Sequence, residues 1–139
     1  MTTVDHFLLS RFYEIAKIST IELEVFLNKI KKPELQTIIA KQISNYDVLT
    51  KECCTLAKSH SINLPDHLFF KRCKQIIEDN FDTIKTISID LIIASTTALS
   101  LNTLSHIYNV ESADSETISI GKHLQNMQDN HLQILKQIK

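Results

Sequence analysis

Residues 60–82 read HSINLPDHLFFKRCKQIIEDNFD, and the wiring of the whole chain turns on how that stretch is parsed. Ser61-Ile-Asn-Leu-Pro65 is a breaker, because proline lacks the N–H a helix needs and pushes the residue before it into extended backbone. Asp66 to Glu78 then reads as a short amphipathic helix carrying Leu68, Phe69, Ile76 and Ile77, with Asp79-Asn-Phe-Asp82 as a boundary rich in capping side chains. The competing parse is one unbroken helix from Asp66 to Tyr108, which would give a three-element up-down array.

The flanking segments give the short helix its meaning. Upstream, Leu9, Phe12, Ala16, Ser19, Leu23, Phe26 and Ile30 step by three and four, which predicts a first helix over Val4–Ile30 with one inward seam. Lys31-Lys32-Pro33 interrupts it, and Pro33 suits the first position of a second helix running to Ser59, whose seam is Leu35, Ile39, Gln42, Tyr46, Leu49, Cys53 and Leu56. So short a connection forces an antiparallel hairpin. Downstream, a third long helix is expected over Asp82–Tyr108 with Ile84, Ile87, Leu91, Ala94, Ala98 and Leu101 inward; the small residues around Ala94 would admit a neighbouring helix closely. A fourth follows Ser112-Ala-Asp-Ser-Glu116, with Gly121, Leu124, Gln128, His131, Leu135 and Ile138 as its seam. A long helix of about 28 residues is roughly 42 Å, and a twelve-residue helix plus eight extended residues spans roughly 44 Å. The stretch after residue 60 can therefore carry the chain back along the bundle, giving an all-α crossover four-helix bundle in one domain, residues 1–139.

Composition agrees and excludes. With one glycine in 139 residues, neither a Rossmann fingerprint nor a phosphate-binding loop can be present, since each needs several glycines close together. Fifteen Lys and Arg against sixteen Asp and Glu leave no basic stripe for nucleic acid; Lys71, Arg72 and Lys74 read as a solvated helix face. Residues 91–110 carry no formal charge, but nine of the twenty are Ser, Thr, Asn or His, so a buried helix is expected rather than a membrane span. The N-terminal residues lack a secretory pattern, and the expected location is cytoplasmic. Cys53, Cys54 and Cys73 are odd in number and lack C-x-x-C spacing; they read as buried free thiols, although Cys53 and Cys54 cannot both face one seam.

The order of long helix, hairpin, long helix, crossover and two further long helices resembles the ferritin-like fold. Pro33-Glu34-Leu35, Lys41-Gln42, Tyr46, Ala94-Ser95-Thr96, Asp114-Ser-Glu116 and Gln128-x-x-His131 together resemble a group of small uncharacterised bacterial proteins of that fold, over nearly the whole chain. The resemblance implies a topology and carries over no catalytic residue.

Chemistry in a bundle sits where its seams turn polar. Here that is Gln42, Asn45 and Tyr46 on the second helix and Gln128 and His131 on the fourth. Di-iron members of the ferritin-like fold place Glu-x-x-His on two helices and one Glu on each of the others; the corresponding slots read Gln42-x-x-Asn45 and Gln128-x-x-His131. Neutral amides replace carboxylates poorly as ligands, so no cofactor is expected, and a single weakly bound ion would use His131 and one acid, with Glu22 and Asp90 as the candidates. The expected role of Gln42, Tyr46, Gln128 and His131 is a buried layer of mutual hydrogen bonds that fixes helix register. Off-seam apolar residues, Phe7, Leu8, Leu27, Ile38, Leu99, Leu104 and Ile134, suggest a homodimer or larger assembly. The functional expectation is a non-catalytic bundle acting through self-association or partner binding; the alternative is a metal-binding or redox protein with a reduced ligand set.

Overall fold

The computed structural model describes residues 1–108 and 112–139; Asn109 and Val110 of the uncharged stretch lie outside them. The first helix, α1 (Thr3–Leu27), begins one residue earlier than expected, because Thr2 and Asp5 cap one another. The Thr2 hydroxyl accepts from the Asp5 N–H at 3.3 Å, while the Asp5 carboxylate accepts from the Thr2 N–H at 2.9 Å. The helix ends three residues short of Ile30, in tight i→i−3 bonds from the N–H groups of Lys29 and Ile30. α2 (Pro33–Ser59) has the expected bounds, α3 (His67–Phe81) is capped by Asp66, and α5 (Ser115–Ile138) is capped by Asp114.

Two expectations about the middle of the chain need correction. α3 continues past Glu78, so Asp79, Asn80 and Phe81 form its last turn rather than a boundary. The next helix, α4 (Ile89–Tyr108), starts seven residues after Asp82, and residues 82–88 are non-helical, which rules out the unbroken helix from Asp66. The cause is a clamp. The Lys29 ammonium donates to the carbonyls of Phe81 at 2.6 Å and Ile84 at 2.8 Å, and the Ile87 N–H donates to the Lys29 carbonyl at 3.1 Å. These bonds draw the segment after α3 across the end of α1, and the Ser88 hydroxyl then accepts from the Leu91 N–H to start α4.

Contacts along the helices give their directions. Phe70 meets Tyr13 and Phe81 meets Phe26, so α3 runs parallel to α1 along its outside. Glu22 meets Ser95 and Phe7 meets His106, so α4 is antiparallel to α1. Asp5 holds Asp114 and Phe12 lies over Gly121, so α5 is parallel to α1. α1 touches all four other helices, α5 packs on α1, α2 and α4, and α3 packs only on α1. The chain is all-α, with no strand among the described residues. No described helix is long and apolar enough to cross a membrane.

The expected seams of α1 and α2 are buried throughout, and on α5 only Ile138 keeps partial exposure. The expected seam of α4 is wrong within the helix. Ile92, Thr96, Ser100 and Thr103 face inward, while Ala94, Ala98 and Leu101 face solvent, Leu101 with 60% of its surface exposed. The buried Thr103 hydroxyl is satisfied by donating to the Leu99 carbonyl one turn back. Of the off-seam apolar residues, Phe7 alone is exposed; Leu8 lies in the core and the others are half-buried.

Gly121 has a specific tenant. A Cβ added there would lie 2.5 Å from Phe12 Cζ and 2.8 Å from Cε2, so the edge of a fully buried ring fills the space a side chain would take. Gly121→Ala should gain up to about 1 kcal/mol of helix propensity yet lose about 1–3 kcal/mol to overpacking. The expected net is a fall in Tm of roughly 3–6 °C in calorimetry. Adding Phe12→Leu should recover part of that loss, making the pair non-additive.

Asp5 is the second test. Burial raises its pKa, but hydrogen bonds from the Thr2 and Asp114 N–H groups and the Thr2 hydroxyl outweigh this and bring it to about 2 from 3.8. The folded state binds its proton later than the unfolded one, so the stabilisation is complete above pH 4 and is lost as pH falls toward 2. Asp5→Asn should lower Tm at pH 7 and flatten the Tm profile between pH 4 and 2.

Candidate functional site

The buried polar layer lies where α2 and α5 cross, and each member is placed by helical spacing. Gln42 and Tyr46 are one turn apart on the inner face of α2, and Gln128 and His131 are i, i+3 on the inner face of α5. All four are 2% exposed or less, while Asn45 sits at the edge, half-buried. The Tyr46 and His131 rings meet edge to face, with centroids 5.1 Å apart.

The expected hydrogen bonding within this layer is largely absent. His131 is tied to Asn45, with Asn45 Nδ2 at 3.2 Å from His131 Nε2. An amide nitrogen only donates, so with the amide placed this way Nε2 accepts and the ring proton is on Nδ1. That Nδ1 has no partner, nor do the side-chain nitrogen and oxygen of Gln42 and of Gln128. A buried polar atom left unpaired costs about 1–3 kcal/mol, and the two glutamine amides carry most of these atoms. Burial raises the Tyr46 pKa, and a hydrogen bond with the Ser19 hydroxyl opposes the rise.

The three metal candidates are not brought together. Asp90 is exposed at the start of α4 and pairs with Lys139. Glu22 is half-buried on α1 and accepts from the Ser95 hydroxyl; burial raises its pKa against that bond. Among the described residues no three His, Cys, Asp or Glu side chains are grouped to hold an ion. Among the thiols, Cys53 is buried and raised to about 12 chiefly by burial, which makes it inert, whereas Cys54 is exposed and Cys73 half-buried, against the expectation that all were buried.

A groove of about 800 Å³ lies elsewhere, between the C-terminal part of α2 and the first turns of α5. Lys51, Glu52, Thr55, Ser59, Ser115 and Glu116 line it, giving a rim of mixed charge. Sequence reading missed Lys29 and Asp5 as structural anchors. Thr2-x-x-Asp5 was a readable capping signal; Lys29 carried none, since its partners are main-chain carbonyls more than fifty residues away.

His131 gives the site a measurable signature. Burial lowers its pKa to about 4 from 6.5, so the unfolded chain takes up this proton first as pH falls. Its contribution is complete above pH 6.5 and is lost as pH falls toward 4, a difference of about 3 kcal/mol. In urea titrations His131→Gln, which can still accept from Asn45 and does not titrate, should flatten the stability profile between pH 6.5 and 4 and leave the Asp5 window below pH 4 unchanged. Comparison with protein-family models, curated proteins and solved structures finds no match to this chain.

Proposed function

We propose that this chain is a non-catalytic ferritin-like bundle that acts through its surface, by self-association or by binding a protein partner. The helix order supports the fold assignment: α1 up, α2 down, α4 down and α5 up, with α3 carrying the return, is the sequence of directions a crossover bundle requires.

The observation that carries the functional reading is the chemistry of the core layer. A di-iron centre needs carboxylates to balance the charge of two metal ions, and Gln42, Asn45 and Gln128 are neutral amides. His131 is the one imidazole of the layer and no carboxylate belongs to it, Glu22 is engaged by Ser95, and Asp90 is at the surface. That donor set does not fit a di-iron group. Meanwhile Phe7, Val48, Leu68, Ile76, Leu101 and Tyr108 are large apolar side chains each about half or more exposed, which supports a role in association.

A second reading, a single ion held by a reduced ligand set, is favoured by the unpartnered side-chain oxygens of Gln42 and Gln128 in the layer that holds His131. One pair of measurements separates them. The surface reading expects a mass that rises with concentration in light scattering and no change in Tm on adding iron, manganese or zinc. A metal-dependent rise of several degrees, lost in His131→Gln, would replace it with the ion-binding reading.

A further inference from the structure

The best-formed apolar seam of α4 points away from the bundle. Leu91, Ala94, Ala98 and Leu101 step by three, four and three, the spacing of a packed helix face. Ala94, Ala98 and Leu101 are exposed and Leu91 is half-buried. α4 packs only on α1 and α5, on its opposite side, so no other described helix covers this face.

We propose that this face pairs with itself: a second copy of the chain lays its α4 antiparallel against it, about a two-fold axis at the level of Thr96. The proposal rests on the self-association reading above and names the surface that carries it.

Two observations select this occupant, and a third sets its strength. The first is symmetry. Leu91 and Leu101 lie five residues either side of Thr96, and Ala94 and Ala98 lie two either side. An antiparallel two-fold therefore sets Leu91 against the partner's Leu101 and Ala94 against the partner's Ala98, the reciprocal matching that an isologous interface demands. The alanines at the centre let the axes approach toward the lower end of the usual 8–10 Å, and the leucines close both ends.

The second is charge. Asp90 is the sole formally charged residue of α4 and is already paired with Lys139. Antiparallel packing keeps the two Asp90 groups at opposite ends and opposes the helix dipoles; parallel packing would bring both together. A differently charged protein partner would find no complementary charge on this face.

The third is area. A 20-residue helix is about 30 Å long and about 10–12 Å wide, so the strip buries roughly 600–700 Å² over both copies, below the 1,200–2,000 Å² of stable complexes. Phe7, 49% exposed beside His106 on the flank of α4, extends the patch. The dimer is accordingly weak, dissociating in the micromolar range or above.

The test is a charge exchange read by sedimentation equilibrium up to about 1 mM chain. Leu101→Asp and Leu91→Lys should each weaken the dimer at least tenfold, and the L91K/L101D double variant should restore it, because each introduced lysine then faces an introduced aspartate across the two-fold. Circular dichroism confirms that each variant folds. As a measurement independent of any variant, dilution of the wild-type chain should shift the methyl resonances of Ala94 and Ala98 more than those of buried Ala16. A wild-type monomer at every concentration overturns both this pairing and the self-association reading. A dimer indifferent to all three variants leaves self-association standing and removes α4 from it. Loss in both single variants without recovery in the double overturns the antiparallel arrangement.

Discussion

The return of the chain along α1 is the constraint on which the rest of the molecule depends, and the Lys29 ammonium secures it. One cation on two carbonyls at the end of α3 neutralises the negative end of that helix and fixes where α4 can begin. The Glu22–Ser95 contact lies within two turns of that fixed start on α4. At the opposite end Asp5 performs the matching task for α5. α1 is thus held near both ends by single side chains, one cationic and one anionic, each with at least one main-chain partner distant in sequence.

Legibility in the sequence followed the contrast between helix faces. α1, α2 and α5 each set an apolar seam against a charged back, and their inward residues were readable almost one for one. α4 offers no such contrast: it has a single charged residue, and both its faces carry apolar or hydroxyl side chains. The 3-4-3 spacing singled out Leu91, Ala94, Ala98 and Leu101, whereas the structure turns Ile92, Thr96, Ser100 and Thr103 inward. A threonine that donates to its own helix is nearly as good a core residue as an apolar one, and periodicity built on hydropathy does not see that. The start of α4 was hidden for a related reason, because Ile84 and Ile87 continue the apolar spacing through a segment that long-range bonds hold out of the helix.

The candidate site was legible in membership and not in bonding. Gln42, Tyr46, Gln128 and His131 were identified by position on their seams, and all are buried. Their satisfaction depends on rotamers and inter-helix distance, quantities that a sequence does not encode locally. Asn45, at the margin, is the member that bonds His131.

The bond from Asp114 to Asp5 has a consequence for the order in which the molecule can be made. It joins positions 109 residues apart, so the Asp5 carboxylate, whose cap with Thr2 is local, takes a further hydrogen bond from a residue synthesised long after that helix has emerged. Contacts of such separation close the largest loops and form late in folding. The helix that touches every other one is therefore the first to be made, while one donor to the carboxylate in its first turn comes from the start of the last helix in the chain.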